Sequence, residues 1–303
     1  MKWNGNSRRY DSFFFIYIFA IRYYLLKEKI IIQNPIHLLL EKISNIIIQS
    51  NDKTLEQGIW RIFDHNIIPE LDLTSKKMKY KEMNSILQPI NLLKNNHVFC
   101  IKYNIYEGCS ICTTPISNTE YLDPCIPITL KNFLNKENLT NILQSRLQNS
   151  QSTCPKCGYD ENKIIINPFT YFKIFSKIEI PLIIFISFEF IDESEKNILS
   201  EEDEQIKIFN SRIQHNKDII NYLLLDKEIF GIKYSLIGTI NTPSVDHYNA
   251  LILNLKTNYK KLELNKIYFH DGLKNNHRII EVTDLTNILE LNNPLIGIYI
   301  KNT

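Results

Sequence analysis

Glycine is scarce in this chain, with 8 among 303 residues, while Ile, Asn and Lys are abundant. That combination follows AT-rich codon usage, so it records mutational bias and points to no function. Neither sign of charge dominates: 35 basic residues face 33 acidic ones, a net charge of +2. Composition therefore offers no electrostatic argument for binding nucleic acid or a membrane surface. No internal repeat is visible, and no long Gly/Ser/Pro linker divides the chain. A length of 303 residues suits one large domain or two small ones. No secretory signal is recognisable and no apolar run is long enough to span a bilayer. The run Phe13–Ile21 is interrupted by Arg22, and no small-residue cleavage site follows it. The run is better read as a helix buried on nearly all sides, capped by Asn6 or Ser7. Arg8 and Arg9 would then sit in its first turn, where the helix dipole disfavours cations. Such a local conflict marks a functional or altered site.

Six cysteines stand against this background, four of them in two short motifs. Cys109-Ser-Ile-Cys112 and Cys154-Pro-Lys-Cys157 are Cys-x-x-Cys turns, each able to aim two sulfurs at one point. Together they supply the four thiolates of a tetrahedral zinc site. Gly158 suits the tight turn after the second pair. The alternatives are two disulfides or four ordinary buried thiols. The paired spacing in a chain without a secretory signal favours metal. The insert is too long for a minimal zinc ribbon, so the metal is expected to staple two ends of an extended excursion. Such a closed site is structural. Cys100 and Cys125 remain outside it, and the cysteine usage as a whole fits a reducing compartment, cytosol or nucleus.

Patterning divides the rest. Helices are expected at His37–Gln49, Leu55–Phe63 and Lys79–Leu93, the last with Met83, Ile86, Leu87, Ile90 and Leu93 on one face. Strands are expected from Val98 to Tyr106 and at Ile164–Ile166, with a helix from Leu130 to Leu147. Pro181–Phe190 reads as a central buried strand, and the acidic stretch Asp192–Gln205 as a solvated loop. Tyr234–Ile240, Tyr248–Leu255, Lys266–Phe269 and Leu295–Ile300 complete a mostly antiparallel set. The last strand is expected to end the chain inside a sheet.

His247 opens one of these strands and Asp271 ends the next. An antiparallel pair would bring them together, with Asp271 orienting the imidazole through Nδ1. That makes two-thirds of a nucleophilic triad; the plain alternative is a surface His near a turn Asp.

The order of these features resembles the ubiquitin-specific proteases, papain-like deubiquitinases built of fingers, palm and thumb. Gly5-Asn6-Ser7-Arg8-Arg9-Tyr10-Asp11-Ser12 is similar to their cysteine box, typically Gly-Asn-Thr-Cys-Tyr-x-Asn-Ser. Lys81-Glu82-Met83 resembles the helix that carries Asp-Ala-x-Glu-Phe, with Glu82 matched. Tyr234-Ser-Leu236 and His247-Tyr248 resemble the histidine box, with Asp246 in place of the usual glycine. Asp271 falls on the third catalytic position, and Leu295–Tyr299 resembles the closing strand. The resemblance spans nearly the whole chain. It implies an α+β, papain-like cysteine protease fold as a single domain, 1–303. Its helical thumb would cover about 1–96, its zinc-stapled β fingers about 97–180 and its antiparallel β palm about 181–303. It also implies structural zinc on Cys109, Cys112, Cys154 and Cys157. The implied partner is ubiquitin or a ubiquitin-like protein, bound by a monomer, with neither nucleic acid nor membrane.

One departure is decisive. The nucleophilic cysteine of the family falls on Arg8, and a guanidinium cannot attack an amide carbon. The oxyanion-hole asparagine falls on Trp3, although Asn4 could replace it after a shift of one residue. A helix N-terminus suits a thiolate, and arginine inverts the charge there. Cys100 and Cys125 lie outside that helix and are poor substitutes. Three functions stay open. The chain is an inactive or impaired homologue that still binds the modifier, with Arg8 meeting the tail carboxylate. It is an active deubiquitinase whose N-terminal region is incomplete or misread. Or it is a non-enzymatic scaffold or decaying gene copy.

Overall fold

The structure is a computed structural model, and it describes residues 12–13, 15–27, 29–32, 38, 41–42, 90, 93–112, 115–190, 201–245, 247–258, 261–271 and 279–302. The helices expected at His37–Gln49, Leu55–Phe63 and Lys79–Leu93 lie mostly or wholly outside those residues. Arg8, Asn4, Trp3, Glu82 and Asp246 lie outside them too.

The first apolar run is helical. It passes through a π-helical turn, Tyr17–Ile21, into α1, Arg22–Lys27. Phe13, Phe15, Ile16, Tyr17, Ala20 and Ile21 are all at most 3% exposed, so the helix is buried on several sides at once. It packs on the large sheet: Phe15 stacks on His270, with ring centroids 4.9 Å apart. A Cβ added to Gly238 would come within 2.9 Å of Ile16 Cδ1, so that glycine lets helix and strand approach closely. Among the described residues no helix is long and apolar enough to cross a membrane.

Two sheets carry the rest. The smaller has the order β2-β1-β5-β4 and is antiparallel throughout. Its strands are β1 (Lys102–Cys109), β2 (Ile116–Tyr121), β4 (Ser150–Ser152) and β5 (Tyr171–Glu179). The first of these starts later than its sequence suggests, because 98–100 form a turn in which Cys100 N donates to Asn96 O. The larger sheet has the order β11-β10-β9-β8-β12-β6-β3, with the short β7 (Lys227–Ile229) also paired to β8. Its strands are β3 (Cys125–Thr129), β6 (Ile183–Glu189), β8 (Ile232–Ser244), β9 (His247–Asn258), β10 (Lys261–His270), β11 (Ile279–Val282) and β12 (Pro294–Lys301). Six residues of β6 are fully buried, Ser187 among them, as expected of a largely apolar strand covered on both faces. The pairing is antiparallel except between β3 and β6, which run parallel.

Three expectations need correction. The helix between the Cys pairs is two helices, α2 (Leu130–Leu134) and α3 (Leu139–Arg146). Thr129 and Asn132 form a capping box at the first, Lys136 takes a positive φ of 53°, and Asn138 caps the second. The acidic stretch is not loop throughout: 201–205 are helical, within α4 (Glu201–Gln214), which is followed by α5 (Asn216–Leu224). Ile164, Ile165 and Ile166 do not form a strand. They are 54–60% exposed in a turn held by Asp160, with one isolated bridge from Tyr159 to Ile165. A last helix, α6 (Leu285–Asn292), leads into β12 through Asn293 in the left-handed conformation. One continuous apolar core joins the N-terminal helix, β6, β8, β9, β12 and α5.

Candidate active site and metal centre

The metal centre is built from both ends of the small sheet's insertion. β1 ends on Cys109, paired across to Tyr171 at the start of β5. The second Cys pair lies between β4 and β5. Between the two pairs the chain crosses to the large sheet as β3, forms α2 and α3, and returns as β4. The four sulfurs all lie within 4.8 Å of one another, with Cys109 to Cys157 at 3.4 Å and Cys112 to Cys154 at 3.7 Å. Four sulfurs around one zinc, each at ~2.3 Å, would stand about 3.8 Å apart, so the residues fit that ion. Backbone N–H groups of Ile111 and Lys156 point at Cys109 Sγ and Cys154 Sγ, each at 3.4 Å. Burial pushes the Cys109 thiol up, but the N–H groups of Cys112 and Ile111 and the neighbouring thiols outweigh it and bring it down to about 6. The N–H groups of Cys157 and Lys156 lower Cys154 as well. Cys112 and Cys157 are pushed the other way, so the four neighbouring thiols share their protons unequally. Gly158 permits the second turn: an added Cβ would stand 2.4 Å from Cys154 O and 2.3 Å from Thr153 Cγ2. Zinc bound here would crosslink the two ends of the insertion and would take no part in chemistry.

The second constellation sits at one rim of the large sheet. The β9–β10 register ends with His270 opposite Ala250, so the next position sets Asp271 beside Asn249, two residues from His247. His247 Nε2 stands 2.9 Å from Asp271 Oδ1, with the two side chains 8% and 0% exposed. This is an ion-pair distance, although the ring is not aligned for a formed hydrogen bond. The carboxylate therefore meets Nε2, where the sequence had suggested Nδ1. The reason is diagonal placement: His247 reaches along its strand to a residue offset by two. Asp271 on Nε2 favours the tautomer with its proton there and leaves Nδ1 as the basic atom. Nδ1 is buried with no hydrogen-bond partner among the described residues. The described part of the N-terminal helix passes this rim, since Phe15 stacks on His270, the neighbour of Asp271. Arg8 and Asn4 precede the described part of that helix.

Two other cysteines stay apart from this rim. Burial pushes the Cys125 thiol up to about 12, against a Ser187 hydrogen bond that lowers it. Burial likewise raises Cys100, whose Sγ lies 3.4 Å from Leu93 O. Raised thiols are inert, and neither residue is on the N-terminal helix.

Sequence reading missed the polar chain that backs the rim. Asn241 Nδ2 donates to Asn249 Oδ1 at 2.9 Å, Asn249 Nδ2 to Asn292 Oδ1 at 2.6 Å, and Asn292 Nδ2 to Ile288 O at 2.6 Å. All three asparagines are buried, and they tie β8, β9 and the end of α6 together. The one signal was asparagine at inward positions of otherwise apolar strands.

No family profile matches the chain, and no curated protein matches it. Among solved structures it is similar to the Ubp8–Sgf11–Sgf73–Sus1 SAGA DUB module, at 13% identity and a TM-score of 0.44, over 100% of this chain and 67% of that one. It is similar to the SAGA DUB module bound to monoubiquitin, at 14% identity and a TM-score of 0.47, over 100% of this chain and 69% of that one. It is also similar to the Saccharomyces cerevisiae PAN2 pseudoubiquitin-hydrolase, at 14% identity and a TM-score of 0.38, over 83% of this chain and 64% of that one.

Proposed function

We propose that this chain is a ubiquitin-specific-protease-like domain that holds ubiquitin or a ubiquitin-like protein and does not cleave it by covalent catalysis. The observation that carries the reading is the buried His247–Asp271 pair, 2.9 Å apart at the rim that Phe15 of the N-terminal helix packs against. In the resemblance drawn from the sequence, the residue presented to that pair is Arg8. His247 would supply a base and Asp271 would orient it. With arginine in place of a thiol there is no atom for His247 to deprotonate. Asn4 would remain as a donor for an oxyanion that no longer forms. Residues 1–303 would act as one domain: a helical thumb to about 96, zinc-stapled fingers to about 180, then the palm. Fingers and palm would hold the modifier's globular body. Its tail would enter towards His247, where Arg8 would pair with the terminal carboxylate.

Two measurements on the zinc-loaded chain test this. Titration against labelled ubiquitin and ubiquitin-like proteins should give saturable binding to at least one of them. A ubiquitin probe with a C-terminal electrophile should bind without forming an adduct. An adduct at any cysteine would refute the loss of covalent chemistry and favour an active deubiquitinase. Absence of binding to every modifier would favour a scaffold that holds none.

A further inference from the structure

We propose that Arg212 and the turn at Asn293–Pro294 form an internal receptor for one small carboxylate. Arg212 lies in the last turn of α4 and is 3% exposed. Its Nη2 donates to Thr242 Oγ1 at 2.8 Å, and its Nη1 lies 3.4 Å from Pro294 O. Its Nε has no acceptor among the described residues. The ionisable neighbour that acts on it is Tyr248, a phenol and not a carboxylate; burial lowers the guanidinium to about 10, so it is still a cation at neutral pH. The carbonyl end of α4 offsets part of that charge. A buried cation whose partners among the described residues are all neutral oxygens leaves most of its desolvation cost standing.

Asn293 supplies the second half. It is 4% exposed, and both amide atoms are buried without a partner among the described residues. Its backbone, at φ 47°, turns α6 into β12. Its carbonyl accepts from Thr242 N at 3.0 Å and lies 3.4 Å from Thr242 Oγ1. The same hydroxyl accepts from Arg212, and the next carbonyl, of Pro294, is the other atom that Arg212 meets. Arg212 Nε and both atoms of the Asn293 amide therefore lack partners among the described residues, and the Thr242 hydroxyl touches both residues. Two donors beside a cation suit a planar group with two oxygens, one on Nε and one on the amide nitrogen. Water would fill the hydrogen bonds without neutralising the charge, and chloride would neutralise the charge without spanning both donors. Thr242, which meets both Arg212 and Asn293, lies two residues from the exposed Ser244 at the end of β8, so a small ligand has a short way in. This assignment is independent of modifier binding.

The test uses the zinc-loaded chain labelled with nitrogen-15 on arginine. The Nε–H resonance of Arg212 is assigned by its loss in Arg212→Met. Formate is titrated against chloride at constant ionic strength, and so is an N-acetylated tripeptide with a free C-terminal carboxylate. The expected result is a saturable shift of that resonance, with a rise in melting temperature at the same midpoint. Saturation by formate assigns the site to a free carboxylate, and saturation by the peptide alone assigns it to a carboxylate carried on a chain. Asn293→Gly keeps the left-handed turn and removes the amide, so it should weaken binding about tenfold even if Arg212→Met does not fold. A shift that stays linear in both ligands, or equals that in chloride, overturns the proposal. So does unchanged affinity in Asn293→Gly.

Discussion

Replacing Lys227 with methionine should stabilise this protein at neutral pH and destabilise it in alkali. Lys227 is 5% exposed at the start of β7. Its Nζ donates to Tyr222 O, lies 3.6 Å from the centroid of the Tyr222 ring, and is 5.6 Å from that of Tyr299. Burial lowers its pKa from the usual 10.5 to about 7, against Asp226, which raises it. Between those values the unfolded chain binds the proton that the folded chain has released. Stability contributed by this residue therefore rises with pH across the window, and the penalty is complete below about 7. At about 1.4 kcal/mol per pH unit that interval corresponds to roughly 5 kcal/mol as an upper bound. The contact with the Tyr222 ring favours the ammonium by about 0.5–2 kcal/mol, which leaves roughly 3–4 kcal/mol. Methionine fills the same channel, but Tyr222 O loses its donor at a cost of about 1–2 kcal/mol. Lys227→Met should thus gain roughly 1–3 kcal/mol at pH 7 and lose about 1–2 kcal/mol near pH 10.5. Urea unfolding of both zinc-loaded proteins from pH 6.5 to 10.5 checks this. The cysteines titrate alike in both, so the difference curve isolates Lys227. A difference that does not change with pH would refute the reasoning.

Elemental analysis of protein purified without chelator should find one zinc per chain; chelation should speed hydrogen exchange in β1, β2 and β5 before it affects β6 and β12, since metal affinity here is partly folding free energy. Gly158→Ala should weaken zinc retention and cost about 1–3 kcal/mol, because the new methyl meets the Cys154 carbonyl and Thr153; equal metal retention in a competition with a chromophoric chelator would count against it. Asn249→Ala strips partners from Asn241 and Asn292 and should cost about 2–4 kcal/mol in urea unfolding; unchanged stability would show that the asparagine chain contributes little. With a fluorogenic ubiquitin substrate the wild-type chain should be silent and Arg8→Cys weakly active, lost again with His247→Ala; wild-type turnover that survives His247→Ala would place the chemistry elsewhere.

Residue type and spacing determined what is local. Two Cys-x-x-Cys turns suffice to specify four thiolates for one ion, because each turn presents its sulfurs whatever lies between. The apolar run Phe13–Ile21 and the largely apolar Pro181–Phe190 read as interior elements, because neither offers a continuous solvated face. The strands holding His247 and Asp271 were legible from alternation and from the short connection between them. Tertiary structure decided everything that depends on distant partners. The parallel pairing of β3 with β6 joins segments separated by two helices and half of the metal centre, and no local pattern records it. Ile164–Ile166 has the composition of a strand, yet the Asp160 turn holds its backbone and leaves those side chains exposed. Which imidazole nitrogen meets Asp271 was set by a diagonal offset of two residues, a matter of register that spacing does not encode. The buried Arg212 looks like an ordinary surface residue in sequence, and the Asn241–Asn249–Asn292 chain is signalled only by asparagine at inward positions of apolar strands. Only folding shows that water has been removed from them, since burial is a property of the packed whole and not of any one residue.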